Sequence, residues 1–378
     1  MDKYSAKKLV VKNISNLPGW RTKEHLVVIE SDDWGSIRMP SIKVFEDLSK
    51  AGIDLISDEG FRYNKFDSLE TSEDIVSIFD VLSSVKDSTG RCTVLTPFSV
   101  VANPDFDKIL QSDYTEYFYE PFTYTLKNYP GCENSFELWK EGIKSRLFIP
   151  QFHGREHLNV KVWMRALKSG HQKTRLAFNN RMWGISTAND PEIKVEFQAA
   201  FDFIDADDLK YHEEVIISGL GLFEELFDYR ATSIVPPNGN FSSKLETVCS
   251  KEGIKYLSAS KIQSEPLGQE RIRKKFHWLG QKNKAGLTFL TRNCFFEPSQ
   301  PDRDWVESCL NDISIAFRWH KPAIISSHRV NFIGALNKSN RDKGLVQFNH
   351  LLKGIVKAWP DVRFLTSTEL GDYISSKP

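Results

Sequence analysis

The feature that most constrains the fold is a repeated alternation of short apolar runs with longer amphipathic segments. Apolar residues recur at the three-to-four spacing of a helix in residues 72–85, 213–227, 243–251, 305–317 and 344–359. Strand-like apolar runs surround these segments, at 26–29, 92–95, 147–149, 197–203, 232–235, 254–257, 287–290, 323–326 and 362–365. This alternation predicts an α/β fold with a mainly parallel sheet. About seven or eight such units fit a (β/α) barrel better than an open sheet.

A chain of 378 residues is long enough for one large barrel-type domain or for two ordinary domains. Residues 1–378 are predicted to form a single barrel domain, because a chain of this length can bury a large core. Two long and weakly patterned segments, 104–146 and 155–195, are interpreted as insertions between strands.

Composition argues against several classes of partner. The chain has 50 basic and 50 acidic residues without a long run of either sign, so nucleic-acid binding is not expected. No segment approaches the roughly 18 consecutive apolar residues of a membrane span. The N-terminus lacks the apolar segment of a secretory signal. The five cysteines of the chain are scattered without a C-x-x-C pair, which favours reduced thiols and a cytoplasmic location.

Two adjacent acids close the first apolar run. Asp32 and Asp33 follow Leu26–Ile29 after two residues, at the carboxyl end of the strand, where parallel α/β folds place their active sites. Buried carboxylates are paired or hold a metal, because an unpaired buried charge is costly. Both can face one cleft only if the strand has ended and the chain turns, which Gly35 permits.

Two histidines follow the third run. His153 and His157 are four residues apart, a spacing that places both rings on one face of a helical turn, within reach of one ion. Together with a carboxylate they would form a three-ligand set that leaves a position open, as catalytic metal sites do. Taken alone, the pair is more typical of surface or capping histidines. Together with the acid pair at another strand end, it favours a metal site.

Two further strand ends carry candidate residues. His328 ends the run at 323–326 and suits a general acid near a metal, although a structural histidine is the alternative. The turn Pro236–Asn240 follows the run at 232–235. Its backbone N–H groups could form part of an oxyanion hole, or it could be an ordinary strand-to-helix loop.

In this order, these residues resemble the motifs of the NodB-homology polysaccharide deacetylases, carbohydrate esterase family four. The matching stretches are Ser31–Gly35 for the first motif, His153–His157 for the second, Val235–Gly239 for the third and Ile325–His328 for the last. The resemblance spans about residues 24–372, which is taken as the core. It implies a distorted (β/α)₇ barrel.

The resemblance also implies roles for these residues. It implies a divalent metal, most likely zinc, whose ligands are Asp33, His153 and His157. Asp32 is then the general base and His328 the general acid for the leaving amine. The backbone N–H of Asn238 would stabilise the oxyanion, and substrate contacts are predicted for Trp34, Pro237 and Arg329.

The chain departs from the family pattern in the third and fourth motifs. Val235 stands where the family often has the arginine that holds the base, and Asn238 replaces the usual aromatic residue. Candidates to replace the arginine are Arg230, Arg155 and Arg329. Trp278 is the only candidate for the fourth motif.

The resemblance predicts a metal-dependent hydrolase that removes an N-acetyl group from an N-acetylated sugar. A cytoplasmic location favours a substrate that is an intermediate of surface polysaccharide biosynthesis, and argues against digestion of chitin or peptidoglycan by a secreted enzyme. The alternatives are a non-catalytic barrel that binds metal or sugar, motivated by Val235 and Asn238, and a metal-dependent O-acetyl esterase. A glycosidase would need two acids flanking the sugar and no metal.

Overall fold

A computed structural model describes residues 3–57, 60–301 and 303–377. The helices are α1 (Lys3–Ile14), α2 (Ile42–Lys50), α3 (Phe61–Phe66), α4 (Ser72–Ser84), α5 (Phe106–Gln111), α6 (Phe122–Lys127), α7 (Ser135–Lys144), α8 (Val160–Ser169), α9 (Gln172–Asn179), α10 (Ala206–Phe227), α11 (Glu246–Lys251), α12 (Trp305–Arg318), α13 (Lys338–Ala358) and α14 (Ser367–Ser376). The strands are β1 (Leu26–Trp34), β2 (Leu95–Val100), β3 (Ala102–Pro104), β4 (Tyr119–Pro121), β5 (Gln151–Gly154), β6 (Ser233–Ile234), β7 (Tyr256–Ala259), β8 (Ile262–Gly268), β9 (Arg271–Phe276), β10 (Thr288–Thr291), β11 (Cys294–Phe295), β12 (Ala323–His328) and β13 (Arg363–Leu365).

The main sheet is parallel and strongly curled. Its strands follow the order β10-β7-β6-β5-β2-β1-β12-β11, and every pairing along this path is parallel. Strand β13 lies off the path and pairs with the first part of β1. The predicted α/β fold with a parallel sheet is therefore confirmed.

One strand closes the barrel by changing its partner. β10 pairs with β7, whereas β11, two residues later in the chain, pairs with β12 at the other edge of the sheet. Between them, the backbone N–H of Arg292 donates to Ala259 (3.1 Å) and that of Asn293 donates to Ile324 (3.2 Å). With β10 and β11 counted as one interrupted strand, the described residues form the predicted distorted (β/α)₇ barrel.

Side chains of β1 alternate between two apolar clusters, as expected for a strand buried on both faces. Leu26 and Val28 pack inside the barrel with residues of β7, β10 and β12. Val27 and Ile29 face outward and belong to the cluster that the surrounding helices cover. The apolar interior is thus at the amino ends of the strands, and the polar residues of β1 lie at the carboxyl end.

Most predicted elements exist, with shifted ends. The helix at 72–85 is α4, and the helix at 305–317 is α12. The helix at 213–227 begins earlier, as α10, and the segment 243–251 starts with a short 3₁₀ turn before α11. The run at 147–149 precedes β5 and contributes only an isolated bridge between Phe148 and Leu95.

The strand predicted at 197–203 is wrong. This segment makes successive turns, in which Ala199 N–H donates to Glu196 (3.1 Å) and Asp202 N–H donates to Ala199 (3.0 Å). The side chain of Asn159 donates to two carbonyls of the same segment. Phe197 and Phe201 are buried in the core, so burial produced an apolar pattern without a strand.

The two segments interpreted as insertions carry their own short elements. Residues 104–146 contain α5, α6 and α7, and β4, which pairs antiparallel with β3. Residues 155–195 contain α8 and α9. Within the described part of the chain, no helix is long and apolar enough to cross a membrane.

Candidate metal centre and catalytic cavity

A bulge near the end of β1 directs both acids into the cavity. Ser31 lies opposite Pro97 and Trp34 opposite Ser99, so β1 has one residue more than β2 in this interval, as in a β-bulge. The extra residue adopts a left-handed conformation, with φ of 74° at Asp33. Asp32 and Asp33 both line the cavity as a result.

The predicted cause of this turn, a strand that ends before the acids and a turn permitted by Gly35, is wrong. The strand does not end before the acids, because β1 continues to Trp34, and Asp33 itself makes the turn. Gly35 has φ of 77°, but its role is close packing: a Cβ there would lie 2.7 Å from the carbonyl oxygen of Val100.

Asp33, His153 and His157 are brought together as predicted. Each offers one ligand atom, and these atoms lie within 4.8 Å of one another. Asp33 Oδ1 is 3.3 Å from His153 Nε2 and 3.0 Å from His157 Nε2. All three residues are buried.

The two histidines do not share a helical turn, so that part of the sequence interpretation is wrong. His153 lies within β5, while His157 follows in an irregular segment before α8. Gly154, with φ of 128°, allows the chain to turn between them. The rings come together with centroids 5.1 Å apart.

The protonation of the triad suits a metal. His153 Nδ1 lies 2.7 Å from the carbonyl oxygen of Val235, which assigns the proton to Nδ1 and leaves the Nε2 lone pair facing Asp33. Burial lowers the pKa of His157 to about 4, so its ring is neutral near pH 7. Burial opposes ionisation of Asp33, yet the adjacent His157 and His153 hold its pKa well below the usual value. Two imidazole nitrogens and one carboxylate oxygen thus lie close together, which is a donor set that fits a divalent ion.

Arg292 holds Asp32. Its Nη1 and Nη2 donate to the two carboxylate oxygens of Asp32 at 2.5 and 2.6 Å, and its Nε donates to Glu30 at 2.6 Å. Burial opposes ionisation of Asp32, but the Arg292 guanidinium keeps its pKa below the usual value. Arg292 lies in the interruption between β10 and β11, where the chain changes partner.

The prediction that Arg230, Arg155 or Arg329 holds Asp32 in place of an arginine at position 235 is therefore wrong. Each of them is engaged elsewhere, and the pairs are Arg230 with Glu224, Arg155 with Glu156, and Arg329 with Asp67 and Glu70. The sequence signal for Arg292 was available, because it directly follows the buried strand β10.

His328 lies across the cavity from Asp33, beside Asp32. Its Nε2 is 4.0 Å from Asp32 Oδ2, and its Nδ1 is 2.5 Å from Glu297 Oε1. Burial would lower the pKa of His328, but the Glu297 carboxylate raises it above the usual value. Burial would raise the pKa of Glu297, but His328 and Arg62 lower it to about 2. Glu297 therefore favours the protonated form of the His328 ring, a role that the sequence interpretation missed.

Asn238 lies at the cavity, in a left-handed conformation with φ of 54°. The surrounding turn is closed by a hydrogen bond from Gly239 N–H to the Pro236 carbonyl (2.9 Å). Pro236, Asn238 and Gly239 all line the cavity. The turn is thus in the predicted place, while the oxyanion role of its backbone N–H stays a prediction.

The three predicted substrate contacts do not fit their positions. Trp34 is 1% exposed and packs edge-on against Trp139 and Phe148. Arg329 has no exposed surface, and Pro237 is buried behind the turn. None of the three lines the cavity, and neither does Trp278.

The cavity has a volume of about 320 Å³. Part of its wall comes from residues that were not predicted, which are Arg38, Tyr63, Gln198, Ser260, Gln263 and Phe295. Tyr63 lies in α3, Gln263 in β8 and Phe295 in β11. The others come from loops, so no single motif contains them.

Comparison with known proteins gives distant structural likenesses. No protein-family model and no curated protein matches the sequence. Among solved structures, a "probable polysaccharide deacetylase" from Pseudomonas aeruginosa PAO1 is 9% identical, with TM-score 0.48, covering 94% of this chain and 92% of that one. The PuuE allantoinase is 10% identical, with TM-score 0.48 and coverage of 95% and 93%. A mutant of a CE4 family pseudoenzyme is 10% identical, with TM-score 0.40 and coverage of 94% and 70%.

These structures include the type of protein that the motifs resemble. At this distance the likeness carries no statement about activity, and it includes both enzymes and a pseudoenzyme. The geometry of the cavity is therefore the basis for the function.

Proposed function

We propose that this protein is a metal-dependent hydrolase that removes the acetyl group from an N-acetylated sugar. One observation carries the proposal: the buried Asp33–His153–His157 triad lies beside a carboxylate, Asp32, that is oriented by Arg292. A ligand set, a separate base and a separate acid are the parts that amide hydrolysis requires.

The triad would hold the metal through Asp33 Oδ1 and the Nε2 atoms of His153 and His157. One carboxylate and two imidazoles form a catalytic zinc set that leaves a position open, so zinc is the proposed ion. When bound, such an ion supplies Lewis acidity, which polarises an acyl carbonyl and favours deprotonation of water.

Asp32 is proposed to accept the proton of the attacking water. Its lowered pKa keeps it ionised at neutral pH. The two hydrogen bonds from Arg292 fix the plane of the carboxylate, while each oxygen retains a lone pair for a proton. Orientation by Arg292 thus compensates for the weak basicity that the same arginine imposes.

His328 is proposed to protonate the leaving amine. The ion pair between Nδ1 and Glu297 holds one proton on the ring, and the other proton is on Nε2, which faces Asp32 across 4.0 Å. An amine leaves poorly without protonation. The backbone N–H of Asn238, in the turn Pro236–Asn240 that lines the cavity, would stabilise the developing oxyanion.

The substrate is proposed to be an intermediate of surface polysaccharide biosynthesis, in a cytoplasmic setting. The support for this step is the motif resemblance and the five free cysteines. Two alternatives are kept. A non-catalytic barrel was motivated by Val235 and Asn238, and Arg292 removes the first of these reasons. An O-acetyl esterase would use the same cavity.

Acetate release from N-acetylated sugars tests the proposal. Wild type should release acetate, and Asp32→Asn and His153→Ala should abolish it. The matched control is His212→Gln, because His212 is also buried but lies outside the cavity lining. Absence of acetate from every N-acetyl sugar offered to metal-loaded wild type would refute the proposal.

The dependence on the leaving group distinguishes an N-deacetylase from an O-acetyl esterase. An alkoxide leaves more readily than an amine, so His328→Gln should reduce amide cleavage far more than O-acetyl ester cleavage. Equal losses on matched N-acetyl and O-acetyl sugars would contradict the role of His328 as the acid for the leaving amine.

A further inference from the structure

One wall of the cavity is a continuous row of rings and cations between His328 and His157. Tyr63 meets the His328 ring edge-on at 5.6 Å. The Arg38 guanidinium lies 5.0 Å from the Tyr63 ring and 5.4 Å from the Trp183 ring. Trp183 in turn stacks on His157, with centroids 5.9 Å apart. Arg38 is therefore in the middle of the wall, between the proposed acid and the proposed metal.

Arg38 is buried, with 5% of its surface exposed, yet one of its donors is unused. Nη2 donates to Gln198 (2.9 Å), while Nη1 has no hydrogen-bond partner among the described residues. The carboxylate nearest to Arg38, Asp67, is 3.8 Å from Nε, and Arg329 binds it more closely, at 3.0 Å.

An unsatisfied N–H on a buried cation is costly, so it needs a reason. The rings of Tyr63 and Trp183 pack against the guanidinium, and the unpartnered Nη1 is the part that can donate to a ligand. Arg38 lines the cavity, so the ligand would enter from there.

Tyr63 offers a second donor on the same wall. Its hydroxyl oxygen accepts a hydrogen bond from Arg62 Nη2 (2.7 Å), so its own proton remains available to the cavity. Burial raises its pKa well above the usual value, and the hydroxyl stays protonated at any physiological pH.

We propose that Arg38 and Tyr63 form an anion-binding subsite that takes a carboxylate or phosphate group of the substrate, next to the acetyl group that is removed. The planar fork of arginine matches both groups, and the tyrosine adds a neutral donor at its side. The inference rests on the proposed function for its location and narrows the substrate class to anionic N-acetylated sugars.

Binding of inorganic phosphate to the full-length chain tests the subsite without relying on catalysis. Titration calorimetry would compare wild type, Arg38→Gln, Arg38→Lys and Tyr63→Phe, each as isolated and after treatment with a chelator, which separates any contribution of metal. Arg38→Gln should weaken phosphate binding about ten-fold or more in both preparations, since a charged hydrogen bond is lost. Tyr63→Phe should weaken it about five-fold, and Arg38→Lys should fall between wild type and Arg38→Gln.

Arg165→Gln is the matched control, because Arg165 pairs with Asp208 outside the cavity, and its phosphate affinity should equal that of wild type. Unchanged affinity in Arg38→Gln, or no phosphate binding by wild type, overturns the subsite. Tyr63→Phe removes one hydroxyl and serves if Arg38→Gln fails to fold.

The product acetate is also a carboxylate, so it is titrated in parallel. Binding of acetate that depends on Arg38, without any such dependence for phosphate, would mean a product site and overturn the substrate reading. In turnover, Arg38→Gln should lower kcat/KM for N-acetylglucosamine 6-phosphate by a larger factor than kcat/KM for N-acetylglucosamine, and equal losses on the two sugars would overturn the subsite. Phosphate binding that depends on Arg38 without acetate release would refute the proposed function and leave the subsite in place.

Discussion

Two buried arginines each bridge a pair of carboxylates, but only one of the two clusters borders on the cavity. Arg292 joins Glu30, at 2.6 Å, to Asp32. Glu30 is fully buried inside the barrel, whereas Asp32 reaches the cavity surface. This cluster therefore has one end in the core and the other at the site of chemistry.

The second cluster has the same composition and is sealed. Arg329 joins Asp67 to Glu70 at 3.0 Å each and donates to the carbonyl of Ser36. None of its three charged residues has exposed surface. It links the loops that precede α4 to the segment after β12.

The two clusters differ in the pKa of their aspartate. The Arg292 guanidinium holds the pKa of Asp32 below the usual value against the effect of burial. For Asp67, burial prevails over Arg329 and raises the pKa to about 6. Similar pairs thus give an acid that stays ionised at the cavity and one that ionises reluctantly in the interior. We expect the first cluster to serve catalysis and the second to serve stability.

Replacing Arg292 should have the largest effect on activity. In Arg292→Met, Asp32 loses both hydrogen bonds that orient it, and acetate release should fall about 10²- to 10⁴-fold, the usual contribution of a general base. Steady-state kinetics with an N-acetylated sugar would measure this. Arg292→Lys, which keeps the charge without the fork, should recover only part of the rate. A loss of a few-fold in Arg292→Met would show that Asp32 needs no orientation.

Replacing Arg329 should instead affect stability. Arg329→Met leaves Asp67 and Glu70 as uncompensated buried charges, and the free energy of unfolding should fall by about 3–5 kcal/mol. Urea denaturation would measure this. Activity per folded molecule should change less than in Arg292→Met. A stability loss no larger than that of Arg292→Met, together with an equal loss of activity, would erase the distinction between the clusters.

The pH dependence of stability should carry the signature of Asp67. Its pKa is about 6 in the folded state and about 3.9 in the unfolded state, so the folded state binds the proton more tightly. Its stabilising contribution is therefore complete below about pH 3.9 and is lost as the pH rises through 6. Relative to Asp67→Asn, wild type should lose about 1 kcal/mol of unfolding free energy between pH 5 and pH 7. Parallel stability curves for the two proteins over this range would show that burial does not raise the pKa of Asp67.

The sequence predicted the barrel and the triad because both depend on local patterns. The acid pair and His328 lie at strand ends, and a strand end identifies the edge of the sheet without any knowledge of loops. His153 and His157 were paired for the wrong reason, a helical turn, but their short separation keeps them together in either conformation.

What the sequence could not predict depends on long-range contacts. Arg292 and Arg329 are both arginines beside a strand end, and only the partner change between β10 and β11 places Arg292 under Asp32. Arg38 comes from the irregular segment after β1, and Tyr63 comes from the short helix α3, whose position depends on the path of the loops around it. Trp34 was predicted to contact the substrate, yet the bulge that directs both acids inward leaves this ring in the core.

The most direct test of the account is the metal content of two neighbouring substitutions, Asp33→Asn and Asp32→Asn, measured by elemental analysis on the full-length chain. Asp33 is assigned as a ligand and Asp32 as a base outside the ligand set. Wild type and Asp32→Asn should each hold about one ion per chain, as expected for a single three-ligand site, and Asp33→Asn should hold far less. Acetate release should be lost in both. Equal metal loss in the two variants, or full metal retention in Asp33→Asn, would contradict the division of roles between the two acids.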